Sequence, residues 1–227
     1  MTRNAKISLT MLGVFVVVLV VALLVNRPAS PAPSAAGATS GAVQGPTAGA
    51  VPVVREDTHL LTTAEDGRVT LVEFLDFECE SCLAMYPVME RIREEYEGRI
   101  TFGVRYFPIP AHPNSGLAAL TVEAAAQQGQ FEAMYQKMYE TQEQWSHTQA
   151  SQQETFFGFA RELGLDMERF EAALRDRATA DRVARDQTDG IALGVQGTPT
   201  LFLNGETVPS MPTYEELTAL IDAELAR

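Results

Sequence analysis

Cysteine is scarce in this chain: Cys79 and Cys82 are the only two. A closed structural zinc site needs four ligands. The three histidines, His59, His112 and His147, stand singly along the sequence and read as surface or packing residues. Acidic residues are missing from residues 1–52, which hold Arg3, Lys6 and Arg27. The formal net charge of −13 is therefore concentrated further on, where 14 basic residues face 30 acidic ones. A domain this acidic has no basic footprint for nucleic acid. It is also repelled by anionic lipid headgroups, so any membrane attachment has to be hydrophobic. No cysteine follows the N-terminal apolar run, which excludes a lipoprotein anchor, and no internal repeat is visible.

What is present begins with an uncharged run of 19 residues, 7–25, ISLTMLGVFVVVLVVALLV. At 1.5 Å per residue it extends about 28 Å, close to the depth of a bilayer's hydrocarbon core. The cations ahead of it, Arg3 and Lys6, place residues 1–6 on the cytoplasmic side. The competing reading is a cleaved signal peptide, whose core runs about 7–15 residues and ends near an A-x-A site. This run is longer and ends in NRPASP. It is expected to be an uncleaved, single-pass transmembrane signal-anchor. Residues 26–52 are Pro, Ala, Gly, Ser and Thr almost throughout and have no face to bury. They read as a flexible linker, extended where the prolines lie. Residues 53–227 are left as the folded domain.

Within that domain VTLVEFLDF, residues 69–77, is β-branched and aromatic on both faces, as suits a central strand covered on both sides. Met85, Met89, Ile92 and Tyr96 then recur at helical spacing, predicting a helix from about Cys79 to Glu97 that Gly98 stops. RITFGVRYFPI is a second strand, which makes a βαβ unit with parallel strands. Next comes a helical block. NSGLAALTVEAAAQQG closes at Gly129, and Phe131, Met134, Tyr135, Met138 and Tyr139 form a stripe that reads as core packing. Ser151 to Glu154, SQQE, predicts a capping box, and Asp166 caps a further helix. A last helix of the block runs from about Thr179 to Leu193. TPTLFLNGETV predicts a hairpin turning at Asn204-Gly205, and TYEELTALIDAELA a final amphipathic helix. The architecture is α/β: βαβ, a helical insertion over about 112–195, then ββα.

A C-x-x-C pair can be a zinc half-site, a redox disulfide, a metal-chaperone loop or an inert bridge. An inert bridge would close a tiny loop and remove little unfolded-state entropy. A redox pair fits best, and an oxidising, extracytoplasmic setting permits its disulfide. Cys79 falls where strand gives way to helix, so its sulfur faces the unpaired N–H groups and positive end of that helix. That position favours the thiolate, which is the nucleophile, so Cys79 is expected to be the exposed, attacking thiol. Cys82, one turn inward, is shielded and placed to attack a mixed disulfide formed at Cys79.

Four further features stand at consistent spacings. CESC opens a helix, with Pro87 five residues after Cys82. Glu73 lies six residues before Cys79. GTPT, with Thr198 before Pro199, precedes the hairpin strand. The helical block separates the two halves of the sheet. Together with the HPNS turn and the GVQGTPTLFLNG stretch, these resemble the thioredoxin-fold superfamily. The closer resemblance is to DsbA-like thiol–disulfide oxidoreductases tethered to bacterial membranes. The resemblance covers roughly residues 55–226. It implies a Cys79–Cys82 redox disulfide, a buried Glu73 that accepts the proton of Cys82, and a cis Pro199. The Thr198 backbone would then pair with an extended substrate peptide, and Pro87 would kink the helix. The chain departs from the pattern between the cysteines. Strongly oxidising DsbA proteins carry Pro-His there, and this chain carries Glu80-Ser81, with Glu78 on the other side. A carboxylate about 6 Å from the sulfur, at an effective dielectric of about 40, costs roughly 1.4 kcal/mol. Glu80 and Glu78 are thus expected to weaken the thiolate, and Ser81 supplies a hydrogen bond but no charge.

The reading is a membrane-anchored, extracytoplasmic thiol–disulfide oxidoreductase acting on secreted or envelope proteins that contain cysteines. A membrane oxidase of the DsbB or VKOR type would reoxidise it, and the chemistry needs no cofactor or metal. A reductase or isomerase of the same fold is the nearest alternative. A copper(I) metallochaperone would want methionine ligands, and these methionines follow core spacing. A recognition module with a relic C-x-x-C would have lost Pro199 or Glu73.

Overall fold

The structure, a computed structural model, describes residues 51–209 and 211–227. The apolar run 7–25 and nearly all of the tether lie outside these residues. Among the described residues no helix is long and apolar enough to cross a membrane.

The sheet has five strands: β1 (His59–Thr62), β2 (Thr70–Leu75), β3 (Thr101–Tyr106), β4 (Thr200–Leu203) and β5 (Glu206–Thr207). They lie in the order β1-β3-β2-β4-β5. β2 runs parallel to β3, with Glu73 opposite Val104 and Phe74 opposite Arg105. It runs antiparallel to β4, with Glu73 opposite Leu201. The strands before and after the helical insertion therefore share one sheet, as expected. Helix α1 (Glu80–Glu95) makes the crossover from β2 to β3. The hairpin turns at Asn204 and Gly205, whose φ angles of 50° and 86° are those of a type I′ turn.

Strand β1 was not foreseen. Its four residues are too few for a periodicity to show, and its place is fixed by pairing along the outer edge of β3. Gly103 permits that approach, because a Cβ there would stand 2.9 Å from Thr58 Cγ2.

Six helices fill the insertion: α2 (Ser115–Ala126), α3 (Phe131–Glu140), α4 (Gln142–Trp145), α5 (Gln153–Glu162), α6 (Met167–Arg175) and α7 (Arg177–Ala192). The α3 stripe is core, with Met134, Tyr135, Met138 and Tyr139 buried beside Trp145, Phe156 and Phe170. Each such side chain contributes roughly 1.5–3 kcal/mol by leaving water. The expected capping box at Ser151 does not form. α5 starts at Gln153, and the N–H of its cap residue Gln152 donates instead to Asn114 Oδ1 at 3.0 Å. A tertiary hydrogen bond sets that helix start. Asp166 caps α6 as expected. The complete capping box belongs to α8 (Tyr214–Leu225), between Thr213 and Glu216.

The two faces of the sheet differ. Leu71, Leu75, Val104 and Tyr106 face the large core shared with α1 and the insertion. Val72, Phe74, Phe107 and Phe202 form a smaller core on the other face. α7 lies against that second face, and Gly190 lets it: a Cβ there would meet Phe107 at 2.7 Å and Phe74 at 3.1 Å.

Candidate active site

β2 ends at Leu75, and the chain reaches α1 through Asp76, Phe77, Glu78 and Cys79. Asp76 organises this turn. Its carbonyl accepts from Cys79 N–H at 3.2 Å, and its side chain from Glu78 N–H at 2.8 Å. Gln142 braces the turn from the insertion, donating to the carbonyls of Phe77 at 2.7 Å and Cys79 at 3.0 Å. Cys79 is the N-cap of α1, in extended conformation, and its carbonyl accepts the first helical bond from Leu83. The helix begins one residue later than the sequence predicted, which leaves the sulfur at the mouth of the unpaired N–H groups.

The sequence predicted an exposed Cys79. The structure corrects this: Cys79 keeps 8% of its surface and Cys82 none. Both are free thiols. Cys79 Sγ donates to the Thr198 carbonyl at 3.4 Å, and the Thr198–Pro199 peptide bond is cis. Pro199 borders a small apolar hollow with Met85, Leu201 and Val208. Pro87 lies inside α1, which continues through it.

The two sulfurs have opposite electrostatics. Hydrogen bonds from the Cys82 side chain and from the N–H groups of Cys82 and Ser81, with Thr198 beside the sulfur, hold the Cys79 pKa down to about 5, against the effect of burial. Burial pushes the Cys82 thiol well up, reinforced by its bond to Cys79 and by the charge of Glu73. Glu73 is 2% exposed and forms no ion pair among the described residues. Burial, with smaller contributions from Glu90 and Cys79, pushes its pKa up to about 8. Nearby, Tyr135 Oη, Tyr139 Oη and one oxygen of Glu90 are buried without a partner.

The acidic neighbours behave differently from expectation. Glu78 does not face the sulfur. It is fully buried, and its carboxylate accepts from the N–H groups of Asn114 at 2.6 Å and His147 at 2.9 Å. Glu80 points outward, with a side chain 71% exposed and 3.1 Å from His147 Nε2. Ser81 is exposed, and what it supplies is its backbone N–H. Neither carboxylate is aimed to weaken the thiolate.

Sequence reasoning missed Asp76, Gln142 and two of the histidines. His112 Nδ1 lies 2.7 Å from Asp76 Oδ2, and its ring meets that of His147 edge-on at 5.8 Å. The HPNS turn that contains His112 was the available signal, but which strand end it returns to is a tertiary fact. His59 does read as packing, stacked on Phe131 and paired with Glu123. Among the described residues no three His, Cys, Asp or Glu side chains group so as to hold a metal.

A low-pKa thiol at a helix N-terminus, a buried partner thiol and a cis-proline loop across from them, on this sheet, define a thioredoxin-fold dithiol protein. The comparisons agree. The thioredoxin family profile matches residues 56–223, and the chain belongs to that family. Among solved structures it resembles a thioredoxin-like oxidoreductase of Silicibacter pomeroyi, at TM-score 0.67 and 22% identity, covering 80% of this chain and 99% of that one. It also resembles BdbD of Bacillus subtilis, at TM-score 0.66 and 22% identity over 75% of this chain and 94% of that one. The α-DsbA1 of Wolbachia pipientis gives a TM-score of 0.68 at 18% identity, over 76% and 93% of the two chains. Among curated proteins it is 35% identical over 172 residues to the Na(+)/H(+) antiporter NhaA of Herminiimonas arsenicoxydans, covering 76% of this chain and 26% of the antiporter. NhaA 3 of Salinispora tropica is 32% identical over 177 residues, again 26% of its length. The chain spans about a quarter of the length of these curated relatives.

Proposed function

We propose that the protein is an extracytoplasmic thiol–disulfide oxidoreductase that oxidises cysteine pairs in secreted or envelope proteins through a Cys79–Cys82 disulfide. The observation that carries this is the division of labour between the sulfurs: one stabilised as a thiolate at the N-terminus of α1, its partner fully buried beside a carboxyl group of raised pKa. A client thiolate attacks Cys79 Sγ of the disulfide, forming the mixed disulfide and expelling Cys82 as thiolate. Glu73, protonated below about pH 8, supplies the proton that neutralises Cys82. The second client thiolate then attacks the client's own sulfur in the mixed disulfide and releases Cys79 as thiolate. Two electrons pass from client to enzyme, and a membrane oxidase of the DsbB or VKOR type returns the enzyme to its disulfide. Thr198 and Pro199 offer backbone to an extended client peptide beside Cys79.

The run 7–25 anchors the domain in the membrane, with the catalytic domain outside. Protease added to intact cells is then expected to digest the domain, and protection or release of a soluble form counts against the anchor. The chemical test uses the two cysteines. Cys79→Ser is expected to abolish exchange. Cys82→Ser is expected to accumulate mixed disulfides with disulfide-bearing clients on non-reducing gels, because the Cys79 thiolate still attacks a client disulfide and expels the client's second sulfur, while the Cys82 thiol that would resolve the bond by attacking Cys79 is gone. Trapping by Cys79→Ser instead would reverse the roles.

A further inference from the structure

We infer that His112, held by Asp76, is a cation that adds to the stabilisation its hydrogen bonds give the Cys79 thiolate. The inference deepens the dithiol reading above and rests on it.

The geometry is that of a built pair. Asp76 Oδ2 accepts from Ile109 N–H at 2.9 Å and lies 2.7 Å from His112 Nδ1. Its other oxygen is taken by Glu78 N–H at 2.8 Å. One carboxylate therefore joins the turn that carries Cys79 to the turn that carries His112. Asp76 is also the residue whose carbonyl receives Cys79 N–H. Ser115 Oγ fixes the histidine turn from behind, donating to the carbonyls of Ile109 at 3.0 Å and His112 at 3.1 Å. The imidazole side chain is 19% exposed, so its field is less screened by water than that of a surface cation.

The groups around it are few. From the β2–α1 turn they are Asp76, Glu78 and Cys79, and from the first turn of α1, Glu80. From the segment after α4 comes His147. Glu78 spends its oxygens on backbone N–H groups, and Glu80 pairs with His147. That leaves His112 as the cation beside this turn whose ionic partner is anchored in the turn itself. Burial lowers the His112 pKa, but the hydrogen bond and charge of Asp76 outweigh it, and the Cys79 thiolate adds to the net rise. A histidine raised in this way carries its charge over the lower part of the range in which Cys79 is a thiolate, from about pH 5 upward until the imidazole itself titrates.

The two groups are linked, so each must shift the other's titration by the same amount. In the disulfide form Cys79 has no charge to give. The His112 ring, followed by NMR through a pH titration of the wild-type protein, is therefore expected to titrate about half to one unit lower oxidised than reduced. His112→Gln is expected to raise the Cys79 pKa, read from thiolate absorbance, by the same half to one unit. A full unit corresponds to a reduction potential lower by about 30 mV. His112→Lys, which restores the charge, is expected to recover most of that shift, whereas a packing role would not be rescued by it. Identical His112 titrations in the two redox states, with an unchanged Cys79 pKa in His112→Gln, would overturn the inference. The dithiol reading would survive that result so long as Cys79→Ser abolishes exchange. Exchange that persists in Cys79→Ser would overturn the reading itself.

Discussion

The two faces of the central sheet bury acids in opposite ways. On the face toward α1, Glu73 sits among Leu71, Leu75 and the α3 tyrosines and forms no ion pair among the described residues, and burial pushes its pKa up to about 8. On the face toward α7, Asp186 and Asp189 are equally covered but meet Arg105, Arg182 and Arg55. There the hydrogen bond from Arg55, with those of Arg105, holds Asp189 down to about 2. Burial alone therefore does not decide the charge of an acid; the presence of a hydrogen-bonded cation does. The arginine cluster is a fastening. Arg105 bonds Asp186 at 2.7 Å on α7 and the carbonyls of Pro52 at 3.1 Å and Val53 at 3.3 Å, where the tether enters the domain. Glu73 fastens nothing, and its place beside Cys82 suits proton transfer.

The sharpest way to break this contrast is Arg105→Met. It removes the buried arginine that joins Asp186 to Asp189, and a denaturant titration is expected to show a loss of about 3–5 kcal/mol. The Cys79 pKa of the folded variant should be unchanged, because the cluster lies across the sheet from the sulfurs.

Glu73→Gln acts in the opposite direction. With a folded pKa of about 8 against 4.5 when exposed, the folded state holds a proton across that window which the unfolded state has lost. Stability from this group is full below about pH 4.5 and falls as pH rises to about 8. The glutamine variant is expected to lack that slope and to be roughly 2–4 kcal/mol more stable than wild type at pH 9. Formation of the mixed disulfide by its oxidised form should be slower, measured by stopped-flow with a thiol peptide. A variant that is destabilised at pH 9 would mean that Glu73 has a cationic partner after all.

Asp189 gives a smaller effect of the other sign. Its folded pKa of about 2 lies below the ordinary 3.8, so its contribution is present above about pH 4 and lost as pH falls through 2. Asp189→Asn is expected to cost about 1–2 kcal/mol at pH 7 and nothing at pH 2. The smallest change belongs to Glu80→Gln. Because Glu80 is largely exposed and paired with His147, the Cys79 pKa is expected to fall by about 0.3 unit or less, and the shift should vanish in high salt. A full unit would restore the sequence-based expectation that this carboxylate opposes the thiolate.

Periodicity alone made most of the domain legible. A run apolar on both faces placed β2, helical stripes placed α1 and α3, and Asn204-Gly205 placed the last turn. Each is a local rule, satisfied by neighbours in sequence. Cys79 and Cys82 were legible for a related reason: their spacing fixes where they stand between a strand end and a helix start, whereas Pro199 was legible only through the family resemblance. The segments that were misread depend on partners far away. β1 is a strand because an edge of β3 is free to accept it, and α5 starts where Asn114 takes the N–H of Gln152.

The same distinction runs through the site. By itself the sequence determined that two thiols share the first turn of one helix and that an acid precedes them on a central strand. Those placements follow from backbone geometry within about ten residues. Only the tertiary structure decided what surrounds the sulfurs. It turned Glu78 onto the N–H groups of Asn114 and His147, and turned Glu80 outward. It brought His112 to Asp76 across 36 positions, and the Thr198 carbonyl to Cys79 across 119. Charge acts through space and falls off with distance and screening, not with position in the chain. The electrostatics of this site could therefore be set only by the folding that brought those groups together.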